Sequence, residues 1–336
     1  MDLISIGWTG DREPALAAAG GGLEAARVVR AIRGVCRIWS ASGERDAVLS
    51  GSLLKAPASE HPVTGDWVAV EPANGRIRAI LPRKSCISRK KAGKEYAEQV
   101  LAANVDVLLI VMGLDGDFNP RRLERYLVLA GEGGASPVLV LNKSDVCEDV
   151  PARVREVNRI TSAAVIVMAA VDPVSVRQLH GCVAPGLTAA LAGSSGVGKS
   201  TIVNALVGEV RQATLAVREQ DSRGRHTTSS RELFLLPEGW LLIDTPGMRE
   251  LEVWSGDAGE AEVFGDIGQV AEACRFRDCR HEGEPGCAVA EAIAAGVLDQ
   301  AHVGNFRKLQ QESDAQLRKR RARILAKAQK QFRPKW

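Results

Sequence analysis

The chain has 336 residues, 45% of them apolar and 25% charged, which is too long for one ordinary core and too apolar for wholesale disorder, so two or three globular domains are expected. No apolar run reaches the roughly 18 residues that a bilayer helix needs, and Met1 to Gly10 lacks a basic region leading into an apolar one; a soluble, cytoplasmic protein without a membrane partner is expected. The net charge of +3 hides an asymmetry, because residues 305–336 carry eleven Lys or Arg against Glu312 and Asp314, a local +9 that leaves −6 for the remainder.

Residues 1–24 read as a Gly- and Ala-rich N-terminal extension. From 25 to 90 the chain alternates short β segments, Ala26–Val29, Val35–Ile38, Ala47–Leu49, Asp66–Val70 and Arg76–Leu81, with turn formers such as Gly43, Pro62, Gly65 and Asn74-Gly75 between them. Five short strands in this space predict a small β-barrel. An OB-fold is the natural candidate, and on pattern alone an SH3-like barrel looks similar. Its stacking aromatics are few, chiefly Trp39 and Trp67, which argues against sequence-specific base stacking.

A basic stretch from Arg83 to Lys94 leads into a domain predicted over 91–255. Val105–Val111 is the continuous apolar run of a buried parallel strand, followed by helical spacing over Arg121–Leu129. The strands Pro137–Leu141, Ala164–Val167, Leu187–Ala192 and Trp240–Ile243 alternate with helical segments, one of them starting at Lys199. This predicts a doubly wound α/β sheet.

Three motifs follow these strands. Asn142-Lys143-Ser144-Asp145 comes after the second, and the Asp145 carboxylate suits the N1 and exocyclic amino donors of guanine, a pair adenine lacks. Gly193-Ser194-Ser195-Gly196-Val197-Gly198-Lys199-Ser200, with Thr201 adjoining, fits the G-x-x-x-x-G-K-[ST] phosphate loop between a strand and a helix. Its glycines let backbone N–H groups close on phosphates at a helix N-terminus; Lys199 suits the β- and γ-phosphates, and the Ser200 hydroxyl suits Mg²⁺. Asp244-Thr245-Pro246-Gly247 follows a strand, placing Asp244 in the magnesium shell and the Gly247 N–H toward a γ-phosphate. Together these predict a P-loop GTPase binding GTP or GDP with Mg²⁺, and disfavour an ATPase or kinase. The guanine motif precedes the phosphate loop by 51 residues, the reverse of Ras-like domains, so the GTPase domain is circularly permuted. Met168-Ala169-Ala170, where a guanine-supporting loop is expected, lacks the usual serine.

The region 256–336 reads as a mainly α-helical domain. Cys274, Cys279, His281 and Cys287 supply three thiolates and an imidazole within fourteen residues, a closed tetrahedral set for one structural Zn²⁺. With seven cysteines in all, a disulfide framework is not expected and a reducing compartment is. His61, His180 and His302 read as structural. The tail, with Arg318-Lys319-Arg320-Arg321 at its centre, is basic enough to bind RNA phosphates.

The permuted motifs, Gly65-Asp66-Trp67-Val68, Leu81-Pro82-Arg83-Lys84-Ser85, Phe118-Asn119-Pro120-Arg121, Gly224-Arg225-His226-Thr227-Thr228 and the C-x4-C-x-H-x5-C cluster resemble the RsgA family of small ribosomal subunit-dependent GTPases over nearly the whole chain. The resemblance implies an OB domain, a permuted GTPase domain and a zinc domain. It also implies GTP hydrolysis stimulated by the small ribosomal subunit and a role in its late maturation through rRNA contacts. Met248 stands where Ras-like enzymes place the glutamine that orients water, which a thioether cannot do. The resemblance gives that role to His226, and to Thr227 or Thr228 the switch hydroxyl near Mg²⁺. A monomer is expected. The alternative is a nucleotide-gated RNA-binding adaptor whose hydrolysis is incidental.

Overall fold

The computed structural model describes residues 1–32, 34–90, 98–218, 231–244 and 257–331. After a short helix α1 (Glu13–Ala19), five strands close a barrel: β1 (Glu24–Ile32), β2 (Val35–Ser40), β3 (Gly43–Leu49), β4 (Trp67–Val70) and β5 (Arg76–Ile80), with α2 (Gly51–Lys55) between β3 and β4. Their order around the barrel is β1-β2-β3-β5-β4, and β3 meets β5 in parallel while the other pairs are antiparallel. This is the OB arrangement that the strand spacing favours. Side-chain alternation sends Ala26, Val28, Val68 and Val70 into the barrel, so Ala25, Val29, Trp67 and Ala69 face outward. They are buried nonetheless, because that outer face packs on the next domain. All of β4 is therefore buried, which an isolated barrel would not require.

A hairpin of β6 (Cys86–Lys90) and β7 (Glu98–Ala103) follows. It occupies part of the basic stretch that reads from sequence as a mere approach to the next strand. The α/β domain contains β8 (Val107–Gly113), α3 (Pro120–Gly133), β9 (Ser136–Asn142), α4 (Val150–Asn158), β10 (Ala164–Val167), α5 (Pro173–Val176), β11 (Thr188–Ala192), α6 (Lys199–Arg218), β12 (Glu232–Leu235) and β13 (Leu241–Asp244). The sheet order is β10-β9-β8-β11-β13-β12, with only the β12–β13 pair antiparallel. Leu108, Ile110 and Met112 point to one apolar layer, whereas Val107, Leu109 and Val111 point to the other. Both faces are covered, as an apolar parallel strand demands. Numbered from β11, the spatial order becomes 6-5-4-1-3-2, one continuous domain whose chain has been cut before β8.

The C-terminal part holds α7 (Asp257–Val263), α8 (Gly265–Ala271), α9 (Ala288–Ala294) and α10 (Gln300–Gln331). Its core of Phe264, Ile267, Val289, Leu298, Val303 and Leu309 includes Val128 from α3. The contact is close: a Cβ on Gly259 would lie 2.2 Å from the Val128 carbonyl oxygen. No described helix is long and apolar enough to cross a membrane.

Candidate active site

The guanine motif, the phosphate loop and Asp244 stand at the carboxyl ends of parallel strands, where open α/β sheets bind their ligands. β11 is fully buried along its length and delivers the loop 193–198 to the N-terminus of α6. Val197 is fully buried and anchors the loop in the sheet core, while Ser195, Gly196, Ser200 and Thr201 are exposed at its mouth. Lys199 Nζ donates to the carbonyls of Gly193 at 2.6 Å and Ser194 at 2.5 Å. The ammonium is thus held against the loop it would serve. Gly198 has φ +100°, and a Cβ there would meet Asn142 Nδ2 at 2.2 Å, so the close approach of two motifs requires a glycine.

Asn142 is 2% exposed at the end of β9. Its Nδ2 donates to the Val197 carbonyl at 2.7 Å, and its Oδ1 accepts from the Ala170 N–H at 2.8 Å. One side chain therefore ties together the guanine motif, the phosphate loop and the segment 168–170. Lys143 adopts the left-handed backbone region at φ +63°, and its ammonium donates to Asp115 Oδ2 at 2.5 Å. That bond holds the Asp115 carboxyl below its ordinary pKa. Asp145 sits in the next turn with an exposed carboxylate, open to a ligand. Asp244 ends β13, whose neighbour is β11. Gly247, Met248, His226, Thr227 and Thr228 lie outside the described residues.

Several contributors escape a reading of sequence. Met168 is buried in the sheet core, so this loop works through its backbone, and Ser175 accepts from the Ala169 N–H at 3.1 Å. Asp115, the partner of Lys143, carries no local signature beyond lying after a strand.

A family model, RsgA GTPase, matches residues 80–254. The RsgA of Xylella fastidiosa strain 9a5c, named a small ribosomal subunit biogenesis GTPase, is 51% identical over 76% of this chain and 75% of its own length. A relative of the same name from Opitutus terrae is 43% identical over 98% of this chain and 94% of its own. The chain belongs to the RsgA GTPase family. It is accordingly a GTP-hydrolysing enzyme. Among solved structures, YjeQ from Thermotoga maritima shares the fold at TM-score 0.62 and 24% identity, over 87% of this chain and 98% of that one. YloQ, described as a circularly permuted GTPase, does so at 0.61 and 22%, over 88% and 96%.

In this RsgA-family chain the cysteine cluster is assembled as its spacing predicts. The ligand atoms of Cys274, Cys279, His281 and Cys287 lie within 4.8 Å of one another. His281 Nδ1 is 3.6 Å from Cys274 Sγ and 3.5 Å from Cys287 Sγ. A tetrahedron with ordinary Zn–S and Zn–N bonds has S···N edges of about 3.6 Å, so the donor set fits a metal in both geometry and softness. Cys287 also caps α9 by accepting from the Ala290 N–H.

Proposed function

We propose that this RsgA-family enzyme hydrolyses GTP to GDP and phosphate under stimulation by the small ribosomal subunit, acts in late maturation of that subunit, and binds it through rRNA. The bridging of the guanine motif to the phosphate loop by Asn142 carries the nucleotide half of this reading. The relatives' being small ribosomal subunit biogenesis GTPases supports the other half.

In this reading the backbone N–H groups of Gly193 to Ser200 and the positive end of α6 bind the phosphates, with Lys199 on the β- and γ-oxygens. Asp145 reads guanine, Lys143 lies along the base, and Asn142 holds the two motifs together. Ser200 and Asp244 offer hard oxygen donors on adjacent elements, which suit the Mg²⁺ that neutralises charge on the β- and γ-phosphates. His226 accepts a hydrogen bond from the attacking water, Gly247 donates its N–H to the γ-phosphate, and Thr227 or Thr228 closes the switch. Zn²⁺ is the metal that three thiolates and one imidazole select, in a purely structural role.

The chain divides in this reading into an extension (1–24), an OB domain (25–90), a permuted GTPase domain (91–255) and a zinc domain with a basic tail (256–336). Docking of the OB and zinc domains on the subunit orders the switch and aligns His226; hydrolysis then loosens it and promotes release. The tail contacts rRNA by counter-ion release. The protein works as a cytoplasmic monomer.

The test is GTP turnover at fixed salt with small subunits, large subunits or neither. Stimulation by small subunits alone is the expected result. Equal rates in all three would remove the ribosomal half of the reading, and a rate too slow to matter beside nucleotide-dependent RNA binding would favour an adaptor.

A further inference from the structure

The loop after β8 carries side chains that no step above uses. Asp115 accepts from Lys143 on Oδ2 and from the backbone N–H of Asp117 on Oδ1 at 3.1 Å. Asp117 Oδ1 in turn accepts from an Arg122 Nη1 group at 2.5 Å. The same nitrogen donates to the hydroxyl of Ser194, the second residue of the phosphate loop. Tyr126, one turn further along α3, lies beside that hydroxyl. Arg122 is held for this task, since Asn119 accepts from its backbone N–H at 3.1 Å and Pro120 opens the helix beside it. The contacts run without a gap from Lys143 of the guanine motif to the phosphate loop.

Their consequence follows from what Ser194 does next. Its carbonyl, with that of Gly193, receives the Lys199 ammonium, so the setting of the Ser194 peptide unit decides where the ammonium sits. A Gly/Ser loop is free to change that setting unless a side chain is pinned. The Arg122–Asp117 pair is partly withdrawn from water, at 34% and 27% exposure, and a planar guanidinium fixes the directions of its donors better than an ammonium does.

We propose that Arg122 is a positioning residue for GTP hydrolysis, which pins the phosphate loop through Ser194 and connects it through Asp117 and Asp115 to Lys143. It touches no nucleotide itself and acts through Ser194 and Lys199. The proposal rests on the reading of residues 193–200 as the phosphate site.

The experiment measures binding of guanosine, GDP and a non-hydrolysable GTP analogue, together with GTP turnover, in Arg122→Ala, Arg122→Lys, Ser194→Ala and the Arg122→Ala/Ser194→Ala double variant. Lys199→Ala serves as reference. Arg122→Ala leaves the Asp117 carboxylate without its cation and risks a folding defect; Ser194→Ala strands no charge and keeps the test sound. Arg122→Ala and Ser194→Ala are each expected to weaken GDP and the analogue about tenfold, the worth of one charge-assisted hydrogen bond. Guanosine binding stays unchanged because Asp115 and Lys143 keep their own bond, and the double variant is no worse than Arg122→Ala. Arg122→Lys restores only part of the loss. Wild-type GDP affinity in both single variants overturns the proposal, as does an equal loss for guanosine and GDP. If Lys199→Ala keeps wild-type GDP affinity, the phosphate-site reading itself is what fails.

Discussion

His302 and Glu124 meet across the boundary between the helical C-terminal part and α3, with the imidazole Nδ1 2.8 Å from a carboxylate oxygen of Glu124, whose side chain is fully buried. Asp266 faces the other ring nitrogen at 3.2 Å, and Asn305 and Arg121 donate to the same Glu124 carboxylate. Asp299 completes the cluster by accepting from Arg121. Burial opposes protonation of His302, but the carboxylates of Glu124 and Asp266 outweigh it and raise its pKa.

A group whose folded pKa is raised contributes stability that is fully present below its unfolded value, about 6.5 for an imidazole, and is lost as pH rises through the folded value. Docking of the C-terminal helices on α3 is therefore expected to weaken from neutral toward alkaline pH. Thermal melting of wild type and His302→Gln between pH 6 and pH 9 checks this. The gap between the two curves narrows as pH rises; a gap independent of pH would sink the idea.

Asn142 gives a second prediction. Replacing it by Ala strands the Val197 carbonyl and the Ala170 N–H inside the protein, at about 1–3 kcal/mol for each unpaired group. GDP affinity is expected to fall at least tenfold. Gly198→Ala should do worse, since the new methyl would displace the Asn142 amide and the backbone at +100° disfavours any Cβ. Fluorescent GDP titration reads both, and Gly198→Ala binding as wild type does would mean that this contact is not needed.

The difference between these residues and the ones a sequence reveals is one of range. The phosphate loop and the guanine motif are local, since their function follows from glycines, backbone N–H groups and a strand before them. Barrel strands are likewise legible from alternation over a few residues. The β6–β7 hairpin is not, because Arg89 and Lys90 with the charged stretch after them give no alternating apolar signal. Nor is the Glu124–His302 bond, whose partners stand 178 residues apart. Met168 illustrates a third case: the loop needs its backbone at the site and its side chain in the core, so the absent serine carries little information.

The metal site predicts a separable effect. Cys287→Ala removes one thiolate and the cap of α9 together. One zinc per chain in wild type and none in the variant is the expected metal analysis, with loss of helical signal from the C-terminal part. GDP binding should persist, because the nucleotide motifs lie on other elements. Full zinc content in Cys287→Ala would contradict the ligand assignment.

Arg27 makes the last prediction, about how the barrel is attached to the GTPase domain. Alternation along β1 turns it out of the barrel, yet it is 1% exposed. Its guanidinium donates to the carbonyls of Ile6, Gly65 and Asn104 and to the Thr188 hydroxyl at the start of β11. It also lies over Trp67 at 5.2 Å. Burial lowers its pKa to about 10, which leaves it charged at neutral pH. One cation thus joins the N-terminal turn, the barrel, the Asn104 corner and the strand that carries the phosphate loop. Arg27→Ala would leave four buried acceptors without their donor, a loss of about 3–5 kcal/mol. The expected denaturation curve splits, with the barrel unfolding before the nucleotide-bound GTPase domain, since GDP stabilises only the latter. A single transition shifted by less than about 1 kcal/mol would show that apolar packing of β1 and β4 holds the two domains together without Arg27.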